Sequence, residues 1–166
     1  MVLNFRIQKQ ILDNWCWAAV TSSISFYFDN NSRWRQGALA AHLINPDCGV
    51  ITHAGGGAAP GFCDRTLDLA RSLRMTGNFA GDLIRALSLA EVVNQINEGY
   101  PVCCQIVFPG SDTSHFVVIY GYQSTTLQIG DPQAGIFSIP YDTFIAGYRG
   151  GRWRRTIGTR KKPDNI

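Results

Sequence analysis

Residues 15–28 read WCWAAVTSSISFYF. Apolar and small side chains fall on nearly every face of a helix drawn through them, so the stretch predicts a helix buried on most sides. Asn14, just before it, is the candidate N-cap. The helix then carries Cys16 in its first turn. A thiolate there is stabilised by unpaired backbone N–H groups and by the positive end of the helix dipole, the setting a nucleophilic cysteine needs. A buried, inert free cysteine is the commoner fate of this residue type, so the decision rests on what the rest of the chain brings to it.

Working outward, a second helix is expected over 33–44, capped by Ser32 and stopped by Pro46, and a third over 63–74. Residues 46–61 hold Gly55-Gly56-Gly57 and two prolines and read as a loop, as do 76–82. Ser88-Leu-Ala-Glu91 is a capping box that opens a helix ending near Gly99. Beyond Pro101 the texture changes. Residues 101–108 and the β-branched, aromatic run 115–121 predict strands. Short strands over 126–129 and 136–139 flank the turn at 131–135, 141–146 predicts a single helical turn, and 151–157 a closing strand. Helices first and strands second is the pattern of an α+β fold with segregated layers.

The chain has 166 residues, enough for one domain with a core of its own. Its charged fraction is 16%, against about 25% for a typical soluble domain. The net charge of +3 is unevenly spread: residues 1–148 carry −3 and residues 149–166 carry +6. A mildly acidic body with a basic end argues against nucleic acid as a partner, which selects a basic face. Residues 1–158 are read as the folded domain and 159–166 as a disordered basic tail that could meet an acidic partner. No apolar run reaches the ~18–20 residues of a membrane span. Residues 1–6 show no secretory signal, which leaves a cytoplasmic enzyme or one exported by a signal-independent, effector-like route.

Three blocks carry chemistry. Gln10 lies six residues before Cys16, with Trp17-Ala18 after it; Ser114-His115-Phe-Val-Val-Ile-Tyr-Gly-Tyr122 forms the strongest strand; Asp131-Pro-Gln-Ala-Gly135 follows. In this order they resemble the papain-like cysteine peptidases, and within them a small bacterial branch that includes bacteriocin-leader-processing domains and plant-pathogen effector proteases. The resemblance covers about residues 8–145. It implies a papain-like α+β fold in which a helical side bearing Cys16 packs on an antiparallel sheet bearing His115 and Asp131. It implies thioester-forming peptide cleavage with a Cys16–His115–Asp131 triad and Gln10 in the oxyanion hole. It also implies a peptide or protein substrate and no cofactor. The chain departs from the papain signature, having Asp13-Asn14-Trp15 where Cys-Gly-Ser precedes the nucleophile. Gln8 competes with Gln10 for the oxyanion role, and Asp112 and Asp142 with Asp131. The same triad can deamidate glutamine or transfer an acyl group, and the same fold can serve as a non-catalytic peptide-binding module.

Trp15, Trp17 and Ser114 are the candidate substrate-binding residues, one of the tryptophans being expected to line the cleft. Trp34, Trp153 and His42 read as packing residues. The five cysteines include at least one left out of any pairing. Cys48 and Cys63 can close a loop of about 15 residues worth ~3 kcal/mol as a disulfide, a bond that implies an oxidising compartment. With His53 they are the alternative, a partial metal site of no standard spacing, and metal is not expected. Cys103 and Cys104 are strand neighbours and point to opposite faces.

Overall fold

In the computed structural model, which describes residues 1–52 and 60–164, six strands form one antiparallel sheet in the order β1-β6-β2-β3-β4-β5. The strands are β1 (Phe79–Leu83), β2 (Val102–Val107), β3 (Ser114–Gln123), β4 (Thr126–Asp131), β5 (Gly135–Pro140) and β6 (Arg152–Thr159). The closing strand β6 lies inside the sheet, between β1 and β2. The segment 76–82, expected to be a loop, supplies the edge strand β1. Its central Gly81 and half-exposed residues carry no strand signal, and pairing with β6 makes it one.

Helices cover both faces. On one face α1 (Cys16–Phe28), α2 (Gln36–Leu43) and α3 (Leu69–Thr76) bury Trp17, Val20, Ile24, Leu39, Leu69 and Leu73 against Cys103, Phe116, Val118 and Ile157 of the sheet. On the other, α4 (Leu89–Asn97) and α5 (Tyr141–Ala146) bury Val92, Ile96 and Phe144 against Cys104, Val117, Ile119 and Ile129. Cys103 and Cys104 thus sit in different cores, as strand alternation requires. The Ser88–Glu91 capping box of α4 is present in both its halves.

The helix starts differ from expectation. Asn14 does not cap α1: Trp15 is the N-cap, without a side-chain cap bond, and Asn14 instead donates through N and Nδ2 to Asp64. Ser32 accepts from Trp34 N and bonds Ser25 Oγ, so α2 begins only at Gln36, behind Arg35. α3 begins at Leu69, because Gly61–Cys63 forms a 3-10 turn. The buried polar residues of α1 are all satisfied: Thr21 bonds Ser72, Ser22 and Ser23 accept from Gln8, and Ser25 bonds Ser32. That is how a helix buried on most faces tolerates four hydroxyls.

An extended segment over 1–11 straps the sheet to α1. Leu3 N donates to Tyr120 O, and Gln10 N donates to Pro132 O. Gly121 and Gly130 let it pass close, since a Cβ there would lie 3.0 Å from Val2 and 2.9 Å from Ile7. Cys48 and Cys63 form a disulfide, which removes the metal alternative that needed both thiolates. His53 lies outside the described residues.

Candidate active site

Cys16 is the first residue of α1, and the first helical N–H groups have no partner within the helix. With no side chain capping them among the described residues, they remain free to face a negative charge beside the sulfur. His115 enters β3 one residue after Ser114 and is largely buried. Its Nε2 bonds Asp131 Oδ1 at 2.7 Å, so Nδ1 is the nitrogen not engaged by the carboxylate. Burial of the ring works against a proton on it. Hydrogen bonds to Asp131 and Cys16, and their charges, outweigh that and hold the imidazolium up to about pH 9.

Asp131 closes β4, with its side chain fully buried. Burial alone would raise its pKa. The bonds from His115 and Tyr148, the imidazolium charge and the Gln133 N–H together hold it down to about 2. Its Oδ1 also accepts from Gln133 N and Ala134 N, the Asx-type arrangement that its turn position supplies. Its Oδ2 accepts from the Tyr148 hydroxyl and lies 3.7 Å from Arg149 Nη1.

Gln10 is buried in the loop leading to α1, where its Nε2 donates to Asp13 O at 2.6 Å and Leu12 O at 3.2 Å. Its Oε1 is buried without a hydrogen-bond partner among the described residues. Gln8 is tied up elsewhere, donating to Ser22 Oγ and accepting from Gln36 Nε2. Neither Asp112 nor Asp142 bonds His115; Asp131 does.

The tryptophans differ from expectation. Trp15 and Trp17 are 0% exposed, so neither offers a wall to a substrate. Their indole N–H groups donate to Cys63 O at 2.7 Å and Arg65 O at 2.8 Å, which braces the start of α1 against the disulfide-linked turn. Ser114 is half-buried and accepts from Gln105 Nε2. Sequence reasoning missed Tyr148 and Arg149. They lie in Gly147-Tyr-Arg-Gly-Gly151, which reads as a bare turn, and no local pattern links that turn to Asp131.

The family model described as the Peptidase_C39 like family matches residues 2–159. The chain belongs to that family. Its fold is accordingly that of the C39 cysteine peptidase domains, papain-like α+β. Three solved structures resemble it, each at 18% identity, a level that speaks for the fold alone. The putative C39-like peptidase from Bacillus anthracis matches with a TM-score of 0.60, over 97% of this chain and 98% of that one. The peptidase domain of Streptococcus ComA, a bifunctional ABC transporter of a quorum-sensing pathway, matches at 0.58, over 93% and 96%. A double-glycine-motif protease from an AMS/PCAT transporter, in complex with its leader peptide, matches at 0.55, over 95% and 93%. No curated protein matches by sequence. None of the described helices is long and apolar enough to cross a membrane.

Proposed function

We propose that this domain hydrolyses peptide bonds through a thioester on Cys16. The observation that carries the reading is the 2.7 Å bond from His115 Nε2 to Asp131 Oδ1, with the Cys16 thiol near enough to help keep the proton on the same ring. His115 holds the thiol's proton on Nδ1 as the imidazolium, so the sulfur attacks the scissile carbonyl carbon as the thiolate. The oxyanion that forms is met by the Cys16 backbone N–H and by the Gln10 amide, whose longer bond to Leu12 O is the one exchanged for it. The imidazolium then protonates the leaving amine, leaving the thioester. Water, deprotonated by the same ring, releases the acid and restores the thiol. Asp131 keeps Nε2 protonated and so keeps Nδ1 turned to the sulfur.

The substrate in this reading is a peptide laid across the start of α1, beside Ser114. The Cys48–Cys63 bond supports a place of work outside a reducing cytoplasm.

The test is a diverse peptide mixture incubated with the protein and read by mass spectrometry. New N-termini should arise with the native chain and not with Cys16→Ala. A one-dalton gain at glutamine without new termini would replace the peptidase reading by a deamidase.

A further inference from the structure

Asp131 has two oxygens and divides them. Oδ1 serves His115 Nε2 and the N–H groups of Gln133 and Ala134, while Oδ2 takes the Tyr148 hydroxyl. Tyr148 is 5% exposed, and its ring is held on two sides, stacked on Phe137 at 5.9 Å and edge-on to Phe144 at 5.4 Å. Its backbone is pinned as well. Tyr148 and Gly151 exchange both N–H···O bonds at 2.8 Å, around a turn whose central residues Arg149 and Gly150 have φ of 49° and 86°. Positive φ at both central positions is the tight type I′ geometry, which fixes the residues on either side of it.

We propose that Tyr148 is a positioning residue for the reaction: its hydroxyl holds the Asp131 oxygen that faces away from His115 and so fixes the carboxylate that orients the imidazole. The inference rests on the thiol-peptidase reading given above. Its consequence is electrostatic as well as geometric. A carboxylate that shares its charge with a phenol pulls less on the imidazolium proton, so the ring gives that proton up more readily to the leaving amine. The groups facing Asp131 are His115 from β3, the Gln133 and Ala134 N–H groups from the β4–β5 turn, and Tyr148 and Arg149 from the turn before β6. Lys9 of the N-terminal segment and Asp131 both line a cavity of about 250 Å³. Arg149 is half-exposed and 3.7 Å away, so among the described residues removing the phenol leaves Oδ2 without a close donor.

The test is the rate of Cys16 alkylation by iodoacetamide against pH, which needs no knowledge of the substrate. Its upper inflection marks the loss of the imidazolium proton. In Tyr148→Phe the inflection should move upward by about half to one pH unit, the part of the roughly one to two units carried by a hydrogen bond to a charged group that passes through Asp131 to the ring. Peptide turnover should fall about tenfold in kcat with KM little changed. In a full chain carrying 3-fluorotyrosine at 148, which keeps the hydroxyl and strengthens it as a donor, the inflection should move downward; this arm decides the matter if the phenylalanine variant does not fold. An unmoved inflection in folded variants overturns the role of Tyr148 and leaves the thiol-peptidase reading standing. A native chain whose Cys16 alkylates like an ordinary thiol overturns that reading instead.

Discussion

His115 Nε2 meets Asp131 Oδ1 at 2.7 Å across sixteen residues of chain. The β3–β4 hairpin brings them together. Val118 pairs with Gly130, so one further step along the ladder sets Asp131 beside Val117, on the face that His115 shares. Diagonal neighbours on a twisted sheet are within reach of long side chains. Removing the carboxylate should therefore leave the sheet intact and the imidazole unsteered. Asp131→Ala should retain the fold by circular dichroism and lower kcat about 10²- to 10⁴-fold, less than loss of the nucleophile. Full activity in that variant would assign the orienting role to another residue.

The pH dependence follows from the same pair. His115 keeps its proton to about pH 9 rather than the ordinary 6.5. The stability its partners give is complete below about 6.5 and is lost as the pH rises through about 9. Asp131 is held to about 2 from 3.8, so its contribution is complete above about 3.8 and fades as the pH falls through about 2. The profile of kcat/KM should fall on its alkaline side near pH 9. A fall centred near 6.5 would mean that His115 feels neither partner.

Gln10 is the second oxyanion donor of the proposed mechanism. Gln10→Ala should lower kcat about 10²- to 10³-fold and leave KM nearly unchanged, since the bond forms only in the transition state. Steady-state kinetics on a cleaved peptide checks this. A change confined to KM would make Gln10 a substrate contact instead.

The Cys48–Cys63 bond ties together the turns that brace α1. Cys63 O and Arg65 O receive Trp15 and Trp17, and Asp64 receives Asn14. The double variant Cys48→Ser with Cys63→Ser should lose about 3 kcal/mol in urea unfolding. Its kcat should fall severalfold even where it remains folded, because the start of α1 carries the nucleophile. Unchanged stability and turnover would show that the turns hold without the link.

What the sequence makes legible is what local patterning controls. The unbroken small and apolar run over 15–28 marks a buried helix, the β-branched run after His115 marks a central strand, and Ser88 with Glu91 marks a helix start that forms as written. Cys16, His115 and Asp131 are legible together because their blocks follow the order of a known family. What is not legible depends on partners far along the chain. Residues 79–83 become a strand only because β6, far along the chain, arrives to pair with them. Ser32 spends its hydroxyl on Trp34 N and Ser25 rather than on a helix start. Trp15 and Trp17 flank the nucleophile in sequence, yet both indoles turn into the core because Cys63 and Arg65 offer carbonyls there. Tyr148 reaches Asp131 through a turn whose own residues suggest only flexibility.

The central claim is that the sulfur of Cys16 is the nucleophile. The most direct measurement is the intact mass and peptide map of the protein after treatment with an epoxysuccinyl inhibitor of thiol peptidases. The account predicts one adduct, on Cys16, absent when His115 is replaced by Ala; native, folded protein that takes up no adduct, or takes it on Cys103 or Cys104, would contradict it.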